Sequence, residues 1–193
     1  VIKEHFFKAV EEFSNDTGIT EKLWRELEER YSISTRHYHT LNHLDDMLKQ
    51  LVPLRNAFKN WSVVVFAVAY HDAVYNPLRS NNEEKSALLS VERLNAIGVP
   101  EQYISKCQLL ILATKKHEVG DYETNLFTDA DLSILGSDAT TYNRYLKNIR
   151  KEYAMYPDLL YNPGRKKVLL HFLNMDQIFK TEEFSGRLEA QAR

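Results

Sequence analysis

Apolar residues recur three and four positions apart along most of the chain and almost nowhere alternate, a period that belongs to α-helices rather than to strands. The opening stretch "IKEHFFKAVEEF" has this spacing, and Thr20 is placed to cap a second helix through "EKLWRELEERY". After a polar break, "SISTR", the period resumes in "HYHTLNHLDDMLKQL". From Trp61 to Tyr75 the chain is apolar nearly all round, which predicts a central helix enclosed by others. "NPLRSNN" ends that helix, and Asn81 with Glu84 three residues on has the form of a capping box for a helix to about Ile97. Pro100 suits the first turn of a helix continuing to about His117, after which "EVGDYETNLF" reads as a polar loop. Beyond "TDADLSILG", Asp138 can cap "ATTYNRYLKNIRKEYAMY", Pro163 can open "GRKKVLLHFLNMDQIF", and Thr181 can cap the last segment. With only six glycines and five prolines to interrupt it, the pattern predicts an all-α fold of about nine or ten helices around one core.

A chain of 193 residues, 44% of them hydrophobic, is expected to form one domain over 1–193. Its 25 basic and 27 acidic residues give a formal charge of -2, so no overall field gathers a long nucleic acid or an anionic membrane. An anionic ligand must therefore be held locally. Cys107 is the only cysteine, which excludes an internal disulfide, and no signal-peptide pattern opens the sequence. The longest apolar run, "VVVFAVAY", is far short of the roughly 20 residues of a membrane span. A cytoplasmic protein is the expectation, with one or both natural ends expected beyond Val1 and the helical "LEAQAR".

The chemistry starts with His71 and Asp72, which close the apolar run. An imidazole and a carboxylate beside a buried segment are costly unless paired, hydrogen-bonded or bound to metal. Their partners are sought elsewhere. His39 and His43 stand four apart and are expected on one helical face; the glutamate of a His-Glu-x-x-His zinc motif is absent, because Thr40 follows His39. In "FTDADLSILG", Asp129 reads as a first-turn acid favoured by the helix dipole, whereas Asp131 is followed by apolar Leu132, Ile134 and Leu135. Two imidazoles and two carboxylates on separate apolar segments suit a divalent manganese, iron, cobalt, nickel or zinc ion better than magnesium or calcium.

In that order of residues, and in its "YHxxxH", "HDxxY", "NExxSA" and "DxDLxxLG" patterns, the sequence resembles the HD superfamily of metal-dependent phosphohydrolases, and more closely a bacterial branch of small HD proteins. The resemblance runs from about Arg36 to "GRKKVLLHFL" and the terminal "EAQAR". It implies an HD-type helical bundle binding one or two ions, with His43, His71, Asp72 and Asp131 as ligands. "YHTLNH" is also similar to a segment of cyclic-nucleotide phosphodiesterases whose first histidine protonates the leaving oxygen, which would make His39 the proton donor. "NNEEKSALLS" carries the third pattern in Asn82, Glu83, Ser86 and Ala87, so Glu83 would orient a water or help hold a second ion. His117, at a helix end like one in HD proteins, would serve phosphate, a second ion or the leaving-group proton.

Arg150 and Arg165, in the family-like "IRKEYAMYPDLLYNPGRKK", offer guanidinium groups that bind phosphate bidentately. The implied reaction is hydrolysis of a phosphoester or phosphoanhydride of a nucleotide or small phosphorylated metabolite, with Asp72 orienting water activated on the ion. Two other outcomes fit the same ligands: a di-iron oxygenase of a small molecule, and a regulator holding metal or nucleotide without turnover. His5, His37, His171 and most of the eleven tyrosines read as structural. The aromatic content is compatible with a homodimer.

Overall fold

The computed structural model describes residues 1–193 and contains ten α-helices and no strand. They are α1 (Ile2–Glu11), α2 (Thr17–Tyr31), α3 (Leu41–Leu51), α4 (Trp61–Tyr70), α5 (Asn82–Ala96), α6 (Glu101–Ala113), α7 (Tyr122–Leu132), α8 (Ala139–Glu152), α9 (Asp158–Leu173) and α10 (Glu182–Ala192). Short 3-10 turns, Val52–Ala57 and Ser133–Gly136, extend α3 and α7. One cluster of buried apolar side chains runs from Ile2 to Phe184. None of the helices is long and apolar enough to cross a membrane.

The centre is α4. Every residue from Ser62 to Tyr70 is buried, and α1, α3, α5 and α6 pack around it. Its valines are poor helix formers in isolation, but packing on all sides outweighs propensity. The Asn60 side chain caps its start by accepting from the Val63 amide, and Phe6 sets its ring edge-on against Phe66, 5.9 Å away.

Several boundaries depart from the periodicity. The central helix stops at Tyr70, not Tyr75, because the next carbonyls are captured from afar: the buried Arg36 guanidinium donates to Asp72 O at 2.7 Å and Ala73 O at 3.1 Å. Ser86 Oγ then takes the Val74 amide. Asp16, not Thr20, caps α2, accepting from Gly18 and Ile19. Asn81 stands at the start of α5 without a side-chain cap, while Asn82 bridges back to the Asn76 backbone. Asp121 caps α7 through the Thr124 amide, so the expected loop over 118–127 is helical from Tyr122 and Asp129 and Asp131 fall in its last turns. Asp129 is thus no first-turn acid. Its buried carboxylate accepts from the Lys180 and Thr181 amides and the Thr181 hydroxyl, which ties the chain before α10 to α7. Pro163 lies inside α9 rather than at its start, since Pro157 precedes the first turn. Asp138 caps α8 as its position suggests.

Where Ser133–Gly136 meets α10, a Cβ on Gly136 would fall 2.5 Å from Leu188 Cβ and 2.7 Å from the Leu188 carbonyl oxygen. Gly136→Ala should therefore push two backbones apart and cost about 1–3 kcal/mol. Gly186→Ala, on α10 with nothing within 4 Å of the new methyl, should instead stabilise by about 0.5–1 kcal/mol. Urea unfolding of the two variants tests the pair, and equal shifts would contradict this packing.

Candidate metal centre

Three separate segments deliver the site. The turn after α4 holds His71 and Asp72, the first turn of α3 holds His43, and the next-to-last residue of α7 is Asp131. His71 Nδ1 lies 2.9 Å from the Val68 carbonyl oxygen. That contact requires a proton on Nδ1 and leaves the Nε2 lone pair facing inward. His43 Nε2 is 3.2 Å from His71 Nε2 and 3.2 Å from Asp131 Oδ1, and His71 Nε2 is 3.7 Å from the same oxygen. The ligand atoms of His43, His71 and Asp131 all lie within 4.8 Å of one another, so this group could hold a metal ion. Asp72 Oδ2 stands 3.1 Å from His71 Nε2 and 3.8 Å from His43 Nε2.

Electrostatics fit a cation. Burial works against charge on both aspartates, yet the imidazoles around them hold Asp72 and Asp131 below the usual carboxylate range. Burial likewise opposes a charged His71, and the Asp72 and Asp131 carboxylates overcome it, lifting its pKa to about 9. Without metal the cluster takes up a proton as its positive charge. An ion would supply that charge in the proton's place, with the His43 and His71 ring nitrogens, 3.2 Å apart, offering it their lone pairs.

His39 does not share a helix with His43, because α3 begins only at Leu41. It lies in a loop fastened by Glu152, whose Oε1 accepts from the His37, Tyr38 and His39 amides at 2.7, 2.7 and 2.9 Å. The other oxygen, Oε2, is 2.6 Å from His39 Nδ1 and accepts from the Tyr75 hydroxyl at 2.9 Å. This fixes the proton on Nδ1 and turns Nε2 toward Asp72, 4.0 Å away. The geometry brings His39 to the centre by a device the four-residue spacing did not contain.

His117, four residues beyond the end of α6, adopts a left-handed backbone with φ 53°. Its Nε2 lies 2.9 Å from Asp131 Oδ2, a bond that orients the carboxylate and compensates the uncommon conformation. Both residues line a cavity of about 530 Å³, together with His39, Asp72 and Glu83. Glu83 is outside the gathered ligand set. Arg165 also faces this space, one nitrogen donating to the Tyr145 hydroxyl at 2.7 Å while its buried Nε has no partner. Arg150 does not reach the cavity; its guanidinium holds the Asp158 carboxylate and the Tyr153 and Tyr156 carbonyls. A larger cavity of about 650 Å³ beside Asn60 and Lys106 has no such cluster of ligands.

Sequence reasoning missed Glu152, Arg36 and Arg79, the last an exposed cation on the cavity rim. Nothing in "NIRKEY" marks a buried carboxylate; only an alternative reading of Glu152 as the inward position of α8, in step with Tyr145 and Ile149, would have raised it. No protein-family model, curated protein or solved structure matches this chain.

Proposed function

We propose that the protein is a metal-dependent hydrolase of a small phosphorylated compound, with His43, His71, Asp131 and Asp72 holding a divalent transition ion. The observation that carries this reading is the convergence of the His43, His71 and Asp131 ligand atoms within 4.8 Å of one another, with Asp131 also lining an open cavity beside Asp72 and His39. A bound ion there supplies Lewis acidity and a water of lowered pKa. The chain's own groups provide the rest. His71, with its Nδ1 proton anchored on Val68 O, keeps its other nitrogen free for the ion. Asp72 is ionised and close enough to share the ion or orient a water. His39 is held by Glu152 with Nε2 toward the cavity, where it can give a proton to a departing oxygen. The Arg165 guanidinium, which lines the cavity, would supply positive charge for a phosphoryl oxygen.

The volume admits a nucleotide-sized molecule, and the tyrosines lining it offer flat apolar walls without a base-reading pattern. These features resemble those of HD phosphohydrolases and support the same reaction class. The test is elemental analysis of the purified protein, followed by a phosphate-release screen over nucleotides and sugar phosphates with manganese, cobalt, nickel and magnesium. Bound transition metal with release that disappears on chelation is the expected result. Two irons per chain with oxygen consumption would replace the proposal by an oxygenase, and metal without turnover by a regulator.

A further inference from the structure

Two exposed apolar residues share the cavity of the proposed centre. Leu160 and Val168 are 61% and 45% exposed, and both line the space that also meets His39, Asp72 and Asp131. Between them on α9 lies Gly164, which lines the same cavity. Residues 160, 164 and 168 follow one another at intervals of four and so form one ridge of the helix, spanning about 12 Å along its axis. With glycine in the middle, the ridge has a gap. Nothing within the chain requires this glycine. A Cβ at residue 164 would meet no atom within 4 Å, and its backbone is helical rather than left-handed. Alanine would favour the helix more. Tyr75 and Tyr145 line the cavity as well. The Tyr75 hydroxyl donates to Glu152 and the Tyr145 hydroxyl accepts from Arg165, so these two residues offer a ligand their ring surfaces.

We propose that Gly164 is a specificity-determining position, its missing side chain leaving a seat between Leu160 and Val168 for an aromatic ring on the leaving group of the phosphate ester. A ring seated there takes the two exposed apolar side chains out of water and meets the tyrosine rings in the offset geometries that aromatic groups prefer. A polyol leaving group would instead press its hydroxyls against Leu160 and Val168, which return no hydrogen bond. A ring esterified directly and one carried through a sugar present the same flat apolar surface. The seat rests on the function proposed above for the position of the phosphoryl group, which the metal centre holds; the gap itself belongs to the cavity wall.

Titration calorimetry of the manganese-loaded protein with phenylphosphonate and methylphosphonate, whose phosphoryl group hydrolysis cannot remove, reads the seat apart from turnover. Phenylphosphonate should bind about tenfold more tightly, the gain expected from taking about 60 Å² of apolar surface out of water. Gly164→Leu should abolish that preference by weakening phenylphosphonate, without lowering the thermal midpoint, because its Cβ enters open space. Gly186→Ala, an equally unobstructed glycine outside the cavity lining, should keep the preference. Competition by adenosine 5′-phosphate and by ribose 5-phosphate then separates a ring carried through a sugar from one esterified directly. Equal affinity for the two phosphonates in the wild type, a preference that survives Gly164→Leu, or a lowered midpoint in that variant overturns the seat. Methylphosphonate bound without any ring preference removes the seat and leaves the hydrolase standing. A ring preference that Gly164→Leu abolishes, in a protein that releases phosphate from no ester, keeps the seat and removes the hydrolase. Binding of neither phosphonate overturns both.

Discussion

Replacing Asp131 with alanine should empty the centre of metal and abolish phosphate release while leaving the helical fold in place. Its Oδ1 is the oxygen nearest His43 Nε2, and its Oδ2 is the acceptor that holds His117. Removing the side chain takes away one of three gathered ligands and the anchor of a fourth residue. The affinity loss should exceed the roughly 100-fold that follows loss of an outer-shell partner alone. Metal at about 100 times its dissociation constant stabilises the wild-type protein by about 2.7 kcal/mol. For a chain of this size that is a rise of about 5–10 °C in the thermal midpoint. The expected result is that calorimetry with and without manganese, cobalt or zinc shows this rise in the wild type and none in Asp131→Ala. His117→Ala provides the graded comparison, keeping all three ligands but freeing Asp131 Oδ2, and should weaken binding about 10–100-fold. Metal retained at full occupancy in Asp131→Ala would remove Asp131 from the centre and the proposed function with it.

How far the site was legible depends on where each residue's partners lie. The central helix is readable because its burial is written into consecutive residues from Val63 to Tyr70, and Asp138 is readable because a cap acts within three residues of itself. The end of that helix is not, since the Asp72 and Ala73 carbonyls leave the helical ladder for a guanidinium about one fifth of the chain away, at Arg36. His43, His71 and Asp131 carried a signal through their residue types and apolar surroundings. That signal was chemical and said nothing of the loop that carries His39. Asp129 and Asp131 look alike in the sequence, two apart on one short segment. One nevertheless pins the Lys180–Thr181 backbone and the other faces the centre, a division set by residues about 50 positions downstream that no local pattern contains. The same reasoning separates Arg150 from Arg165: both look free in the sequence, and only the turn between α8 and α9 commits the first to carbonyls and an aspartate.

Glu152 is the clearest case of function hidden by distance, and its variants should separate fold from chemistry. Its side chain is wholly buried and gathers five donors, three of them backbone amides more than 110 residues away in sequence. Glu152→Ala strands those amides together with His39 Nδ1 and the Tyr75 hydroxyl, so unfolding free energy should fall by about 3–5 kcal/mol. Glu152→Gln keeps a carbonyl oxygen for the three amides but sets an NH2 against His39 and Tyr75, where an acceptor is required. It should fold, retain metal, and lose turnover, because His39 is no longer held with its proton on Nδ1. The acid limb of stability gives a further readout. Burial alone would raise the Glu152 pKa, but the His39 hydrogen bond and charge and the Tyr38 and His39 amides bring it down to about 2 from its ordinary 4.5. A carboxyl depressed in the folded state contributes its full stabilisation, about 3 kcal/mol here, above pH 4.5 and loses it progressively as pH falls toward 2, where the folded form also takes up the proton. Urea titrations at descending pH should therefore show a steep loss over this window in the wild type and a much flatter one in Glu152→Gln. Equal slopes in the two proteins, or metal lost along with turnover in the glutamine variant, would mean that Glu152 does not act through His39.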